Sequence, residues 1–127
     1  MPTLEHFKPR PVEPKPWGEE LLIASSALWT MKRLTMQAGH RGGLQYHERK
    51  HEAFYLHSGK AIVRFDAGNG LVVRRMHAGE TYQVPPGAVH QVEAIDDCVF
   101  YEVSNPVLGD RVNMSEFYGV GKQGEAW

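Results

Sequence analysis

The stretch GGLQYHERKHEAFYLHSGKA, Gly42 to Ala61, sets one glutamine, three histidines and two glutamates among apolar neighbours. It is either a wet surface loop or a metal site. On a β-strand alternate side chains share a face, so Gln45 and His47 point one way, and Glu52, Phe54 and Leu56 form a second same-face set. If that second set faces inward, Glu52 goes in with two apolar residues. A buried carboxylate is costly unless it is paired, hydrogen-bonded or bound to a cation. His90 poses the same question, since it follows Pro85-Pro86-Gly87 and lies between Val89 and Val92. Imidazole or amide donors with one carboxylate suit one divalent ion of the Zn, Mn, Fe or Ni kind. The candidate metal ligands are therefore Gln45, His47, Glu52 and His90. Four protein donors leave one or two positions of an octahedral ion open, as a catalytic site requires. His6, His40, His51, His57 and His77 have no partner at ligand spacing or fall on the wrong face, and read as surface residues.

The surroundings of this stretch are punctuated at Gly39, Gly42-Gly43, Ser58-Gly59, Gly68-Asn69-Gly70, Gly79, Pro85-Pro86-Gly87 and Asn105-Pro106. Between these breaks, runs rich in Val, Ile, Leu, Phe and Tyr predict strands over Glu20–Ala24, Trp29–Gln37, Glu52–His57, Lys60–Asp66, Leu71–His77, Thr81–Val84, Val89–Ile95 and Cys98–Ser104. Short strands at this spacing require an antiparallel sandwich or barrel. Gly68-Asn69-Gly70 is a hairpin signal. No window carries the 3.6-residue period of a substantial helix, and only Met114–Tyr118 suits a short terminal turn. Residues 1–16 hold five of the eight prolines and predict an extended N-terminal arm, because proline lacks the N–H that a helix or central strand uses. Residues 17–127 then form one domain, long enough for a core without disulfides or metal staples.

Bulk properties exclude several partners. Net charge is −1, and the basic pairs Lys32-Arg33 and Arg74-Arg75 are too sparse to neutralise a run of phosphates, so no nucleic-acid partner is expected. No stretch is long and apolar enough to span a bilayer, so no membrane partner is expected. The single cysteine, Cys98, precludes an internal disulfide and reads as a buried, inert thiol. With no apolar leader at the N-terminus, a cytoplasmic location is expected. The Pro-rich arm and the sheet edges need cover, which predicts a homodimer.

The spacing of the donors resembles the two motifs of the cupin superfamily. Gly39 is followed by five residues, Gln45-x-His47, four residues, Glu52, six residues and Gly59; further on, Gly79 is followed by five residues, Pro85-x-Gly87, two residues and His90. Gln45 stands where the family more often has His, and Ala94 where Asn often closes the second motif. The run MKRLTMQAGHRGGLQYHERKHEAFYLHSGKAIV, Met31–Val63, is similar to the cupin domain of type II mannose-6-phosphate isomerases, as are KPWG at Lys15–Gly18 and DRVNMSEFYG at Asp110–Gly119. The resemblance covers roughly residues 15–121. It implies an all-β, double-stranded β-helix or jelly-roll barrel. It also implies metal ligation by Gln45, His47, Glu52 and His90. The family's first-motif Arg falls on Lys50, its Ser before Leu-Gln on Gly43, and its basic residue after Tyr-Gly on Val120.

What the resemblance implies is a metal-dependent isomerase or epimerase acting on a sugar, sugar phosphate or related small polar substrate. The ion would act as a Lewis acid while a base removes the proton between carbonyl and hydroxyl carbons. Glu102 is the candidate base, sharing a face with Phe100; the more apolar alternation Val99, Tyr101, Val103 competes for the interior. Lys32 alternates with Leu34 and Met36 and, if inward, could meet a phosphate or acidic substrate; a lysine snorkelling from a sheet edge is the competing reading. Two other functions stay open, an Fe-dependent dioxygenase and a non-catalytic small-molecule-binding module, because a fold does not choose its chemistry.

Overall fold

A computed structural model describes residues 1–120. Its strands are β1 (Arg10–Pro11), β2 (Gly18–Ser25), β3 (Thr30–Met36), β4 (Gln45–His47), β5 (Glu52–Ser58), β6 (Lys60–Asp66), β7 (Leu71–His77), β8 (Thr81–Val84), β9 (His90–Ala94), β10 (Cys98–Ser104) and β11 (Arg111–Asn113). One short helix, α1 (Ser115–Tyr118), follows. A six-stranded sheet has the order β1-β2-β3-β10-β5-β8, and a five-stranded sheet the order β11-β4-β9-β6-β7. From β3 onward the chain passes from one sheet to the other at nearly every connection; β6 and β7 alone form a hairpin within a sheet. This alternation makes an antiparallel jelly-roll barrel, as the strand spacing predicts.

The strands predicted over Lys60–Asp66, Leu71–His77, Thr81–Val84 and Cys98–Ser104 have those bounds in the structure. β1, β4 and β11 escape a pattern reading because two or three residues carry no periodicity; they exist through pairing. β4 pairs with β11 on one side and β9 on the other. Within the Pro-rich segment, Arg10 and Pro11 lie opposite Leu22 and Leu21, and the Val12 N–H reaches the Glu20 carbonyl at 2.9 Å. The arm thus supplies the outer strand of its own six-stranded sheet.

The core packs between the sheets at one end of the barrel. Leu56, Ala61, Val63, Met76, Ala94 and Cys98 are each at most 1 % exposed. On β6 the period of two sends Ala61, Val63 and Phe65 inward, opposite Ala94, Val92 and His90 of β9. The β5–β6 turn requires glycine: Gly59 has φ +89°, and a Cβ there would lie 2.4 Å from the Asp97 carbonyl oxygen. In the β6–β7 hairpin, Asp66 Oδ1 accepts the N–H groups of Gly68 and Gly70. The Tyr118 hydroxyl donates to Asp66, fastening α1 to the same corner. Among the described residues no helix is long and apolar enough to cross a membrane.

The six-stranded sheet sends four charged side chains, Glu20, Lys32, Glu52 and Glu102, into the barrel and leaves some apolar surface outside. Val103, Tyr55 and Met31 are 48 %, 39 % and 37 % exposed on its outer face. Glu102 lies opposite Lys32 of β3 on one side and Phe54 of β5 on the other, and all three line one interior cavity. β3 sits between β2 and β10 and is no sheet edge, so Lys32 does not snorkel from one.

Candidate metal centre

Three short segments bring the donors together. In the β4–β9 register Gln45 lies directly opposite His90, and directly opposed residues send their side chains to the same face. His47 follows two residues on, with the same orientation. Glu52 begins β5, and His90 begins β9 after the Pro-Pro-Gly turn. That turn is tied to the first motif, since the Gly87 N–H donates to the His47 carbonyl at 2.8 Å. The two motifs are therefore joined through backbone as well as side chains.

One ligand atom each from His47, Glu52 and His90 lies within 4.8 Å of the others, a group able to hold a metal ion. Glu52 Oε1 is 3.1 Å from His90 Nε2 and 3.8 Å from His47 Nε2. The remaining polar atom of each residue is held elsewhere. His47 Nδ1 is 3.1 Å from Asp110 Oδ1, His90 Nδ1 is 3.0 Å from the Ala88 carbonyl, and Glu52 Oε2 is 3.4 Å from Lys50 Nζ. Two Nε2 atoms and one carboxylate oxygen are left to converge. This partition, with every outward atom spoken for, is what a preorganised metal site needs, so the donor set fits a divalent cation. Gln45 lines the same cavity. Its amide lies close to the backbone of Gly43, where a Cβ would come within 2.8 Å of Gln45 Oε1.

Burial and neighbouring charges pull the titratable groups of this cluster in different directions. Burial of Glu52 opposes its charge, but the hydrogen bond from His90 and the charge of Lys50 outweigh it and hold the carboxyl at about 2. Burial lowers His47 below its ordinary value, against the pull of Glu52 and Asp110. Burial works the same way on His90, but there the bond to Glu52 and the Ala88 carbonyl win and raise it. Burial also disfavours charge on Asp110, yet the N–H groups of Arg49 and Lys50, with His47, hold it at about 2.

The triad opens into a cavity of about 310 Å³. Beside the triad the cavity carries two lysine–carboxylate pairs. Lys50 Nζ is 3.2 Å from Glu102 Oε1, and Lys32 Nζ is 3.5 Å from Glu20 Oε2. Burial first, and then the charge of Glu52, push Glu102 up to about 7 against Lys50 and Lys32. Burial would depress Lys50, but Glu102 and Glu52 hold it above its ordinary value. Trp17, Leu34, Phe54 and Phe100 form apolar parts of the wall, and Val107 and Leu108 stand in the β10–β11 loop beside it.

The cupin domain model matches residues 32–104. This chain is a cupin. The solved structures it is similar to include KdgF from Halomonas sp., at 18 % identity and TM-score 0.69, covering 77 % of this chain and 88 % of that one. CapF, the capsular polysaccharide assembling protein from Staphylococcus aureus, matches at 21 % identity and TM-score 0.69, covering 85 % of this chain and 32 % of that one. Oxalate decarboxylase from Bacillus subtilis, a protein with Mn(II) centres, matches at 24 % and 0.68, covering 84 % and 30 %. At these identities the likeness is one of fold, and this cupin spans about a third of the length of the last two. No curated protein sequence matches it.

All six side chains singled out from the cupin's sequence, Gln45, His47, Glu52, His90, Lys32 and Glu102, line the one cavity. Asp110 and Glu20 were missed as contributors. Asp110 stands at the head of the DRVNMSEFYG motif, a signal that marked it without saying what it touches. Glu20 opens a predicted strand and had no signal beyond its charge. His51, His57 and His77 are exposed, as predicted. Cys98 is buried, and burial with the charges of Asp96 and Asp97 pushes its thiol up to about 11, in line with an inert residue.

Proposed function

We propose that this cupin is a metal-dependent isomerase or epimerase of a small hydroxy-carbonyl compound of the sugar class, in the manner of the type II mannose-6-phosphate isomerases its sequence resembles. The observation that carries the reading is a second carboxylate, Glu102, facing the His47–Glu52–His90 triad within one cavity and held there by Lys50. A simple binding site has no use for a buried base.

His47, Glu52, His90 and Gln45 would hold a divalent cation, which would supply Lewis-acid polarisation of the substrate carbonyl. The Glu102 carboxylate takes the proton from the hydroxyl-bearing carbon beside that carbonyl and, now a carboxylic acid, returns it to the former carbonyl carbon, while the hydroxyl proton passes to the former carbonyl oxygen. The raised proton affinity of Glu102 suits both halves of the transfer between carbons. Lys50 orients Glu102 and keeps Glu52 Oε2 turned away from the metal position. Both inward lysines already face carboxylates, so neither is a bare charge awaiting a phosphate. With Lys50 in place of the family's Arg, and Gly43 and Val120 at two other family positions, the reading moves toward an unphosphorylated substrate.

The test is proton exchange in D2O without oxygen, followed by NMR, on aldoses and ketoses with Mn, Fe, Zn or Ni supplied. Incorporation of deuterium beside the carbonyl by the wild type, lost in Glu102→Gln, is expected. Turnover that strictly needs O2 would establish the dioxygenase instead, and binding without any exchange would establish a non-catalytic module.

A further inference from the structure

We propose that Asp110 is a positioning residue that fixes the ring tautomer of His47 and the place of Lys50 at once; the inference rests on the metal-site reading above. Asp110 ends the β10–β11 loop and is 8 % exposed. Its two oxygens do different work. Oδ1 faces His47 Nδ1 at 3.1 Å. Oδ2 accepts the N–H groups of Arg49 and Lys50 at 2.7 and 2.8 Å.

A carboxylate accepts and does not donate. A neutral His47 must therefore carry its proton on Nδ1, which leaves the Nε2 lone pair aimed at the metal position. The other imidazole is held differently, His90 Nδ1 meeting the uncharged Ala88 carbonyl. Of the two histidines, His47 is thus the one backed by a charge, the stronger kind of hydrogen bond and the kind that raises ligand basicity. The second oxygen acts through the backbone. It anchors the residue whose ammonium lies 3.4 Å from Glu52 Oε2 and 3.2 Å from Glu102 Oε1. One side chain thereby aligns both a ligand and the base.

The same loop offers an internal control. At its other end Asn105 Oδ1 accepts the His51 N–H at 2.9 Å, and Nδ2 donates to the Arg49 carbonyl at 3.3 Å. Asn105 grips the same β4–β5 segment without touching a ligand. Loss of loop anchoring alone should therefore show in Asn105→Ala as well as in Asp110→Asn.

The decisive measurement is the 15N shift pair of His47 in metal-free protein, with the ring neutral. The wild type should show protonated Nδ1 and bare Nε2; Asp110→Asn, which offers an amide donor, should shift population to the other tautomer. Mn(II) affinity should then fall roughly 10–100-fold in Asp110→Asn and stay within about threefold in Asn105→Ala, with both variants folded by thermal melt. A wild-type ring protonated on Nε2 overturns the proposal without any variant. So does equal weakening of Mn(II) binding by the two substitutions. If the wild type binds no divalent ion, the functional reading fails, while the tautomer measurement still decides what Asp110 does.

Discussion

The two ends of this barrel's interior are built from the same strands and could hardly differ more. At the closed end the inward positions of β3, β5 and β10 are Met36, Leu56 and Cys98, all buried among apolar neighbours. A few residues along, the same strands on the same side present Lys32, Glu52 and Glu102. Between them lie Leu34, Phe54 and Phe100, a hydrophobic step separating the halves. The inner face of a sheet is therefore not one environment. Charges are tolerated at the open end because each has a partner within about one hydrogen bond's reach: Lys32 with Glu20, Lys50 with Glu52 and Glu102, His47 with Asp110. An unpaired charge at the closed end would have water on no side and would cost several kcal/mol.

The comparison can be broken from either end. The largest effect should come from Glu52→Ala: cation uptake, read by metal analysis after dialysis, falls to background. Turnover drops with it, on the order of 10³-fold or more, since several kcal/mol of transition-state stabilisation go with the ion. Glu102→Gln should cut turnover by roughly 10²–10⁴ while leaving metal uptake intact, as measured by titration with Mn(II). At the closed end Leu56→Ala should cost roughly 2–5 kcal/mol of stability in denaturant melts, with the metal content per folded molecule unchanged. Equal effects of Glu52→Ala and Leu56→Ala on stability and on metal uptake would erase the distinction between the two ends.

Proton linkage should sharpen it. Glu102 has its proton affinity raised from the ordinary 4.5 to about 7. Its contribution to stability is therefore complete below pH 4.5 and lost as pH rises to about 7. Melts of the metal-free protein should show this descent in the wild type and not in Glu102→Gln. Cys98, raised from 9.0 to about 11, gives the same sign in a different window: a contribution intact below pH 9 and gone by about pH 11, absent from Cys98→Ala. The smallest effect belongs to the outer face of the six-stranded sheet, where Val103→Thr should change stability by no more than about 0.5 kcal/mol, because Val103 is already half in water.

Much of the fold was legible because its signals are local. Gly59 must be glycine for the turn it makes, and the Pro85-Pro86-Gly87 turn delivers His90 to the start of a strand. The segments β4 and β11 were not legible, since three-residue strands exist only as partners of other strands. Of the candidate site, the His47, Glu52 and His90 donors were readable from motif spacing, whereas the direction of Glu102 was not. Val99, Tyr101 and Val103 form the more apolar alternation on β10, yet they face outward, and Phe100 and Glu102 face in.

By itself, the chain's order of glycines, prolines and donors determined a small antiparallel barrel of the cupin family with a cluster of side chains able to hold a metal ion, because turns and two-residue periodicity act over a few neighbouring positions. Tertiary structure alone decided which face of β10 became interior, for a period of two is indifferent to exchanging its faces until the opposing sheet is packed. It alone set Gln45 opposite His90, and brought Asp110 across 63 residues of sequence to His47, because contacts between distant segments depend on strand order and register, which local chemistry does not encode.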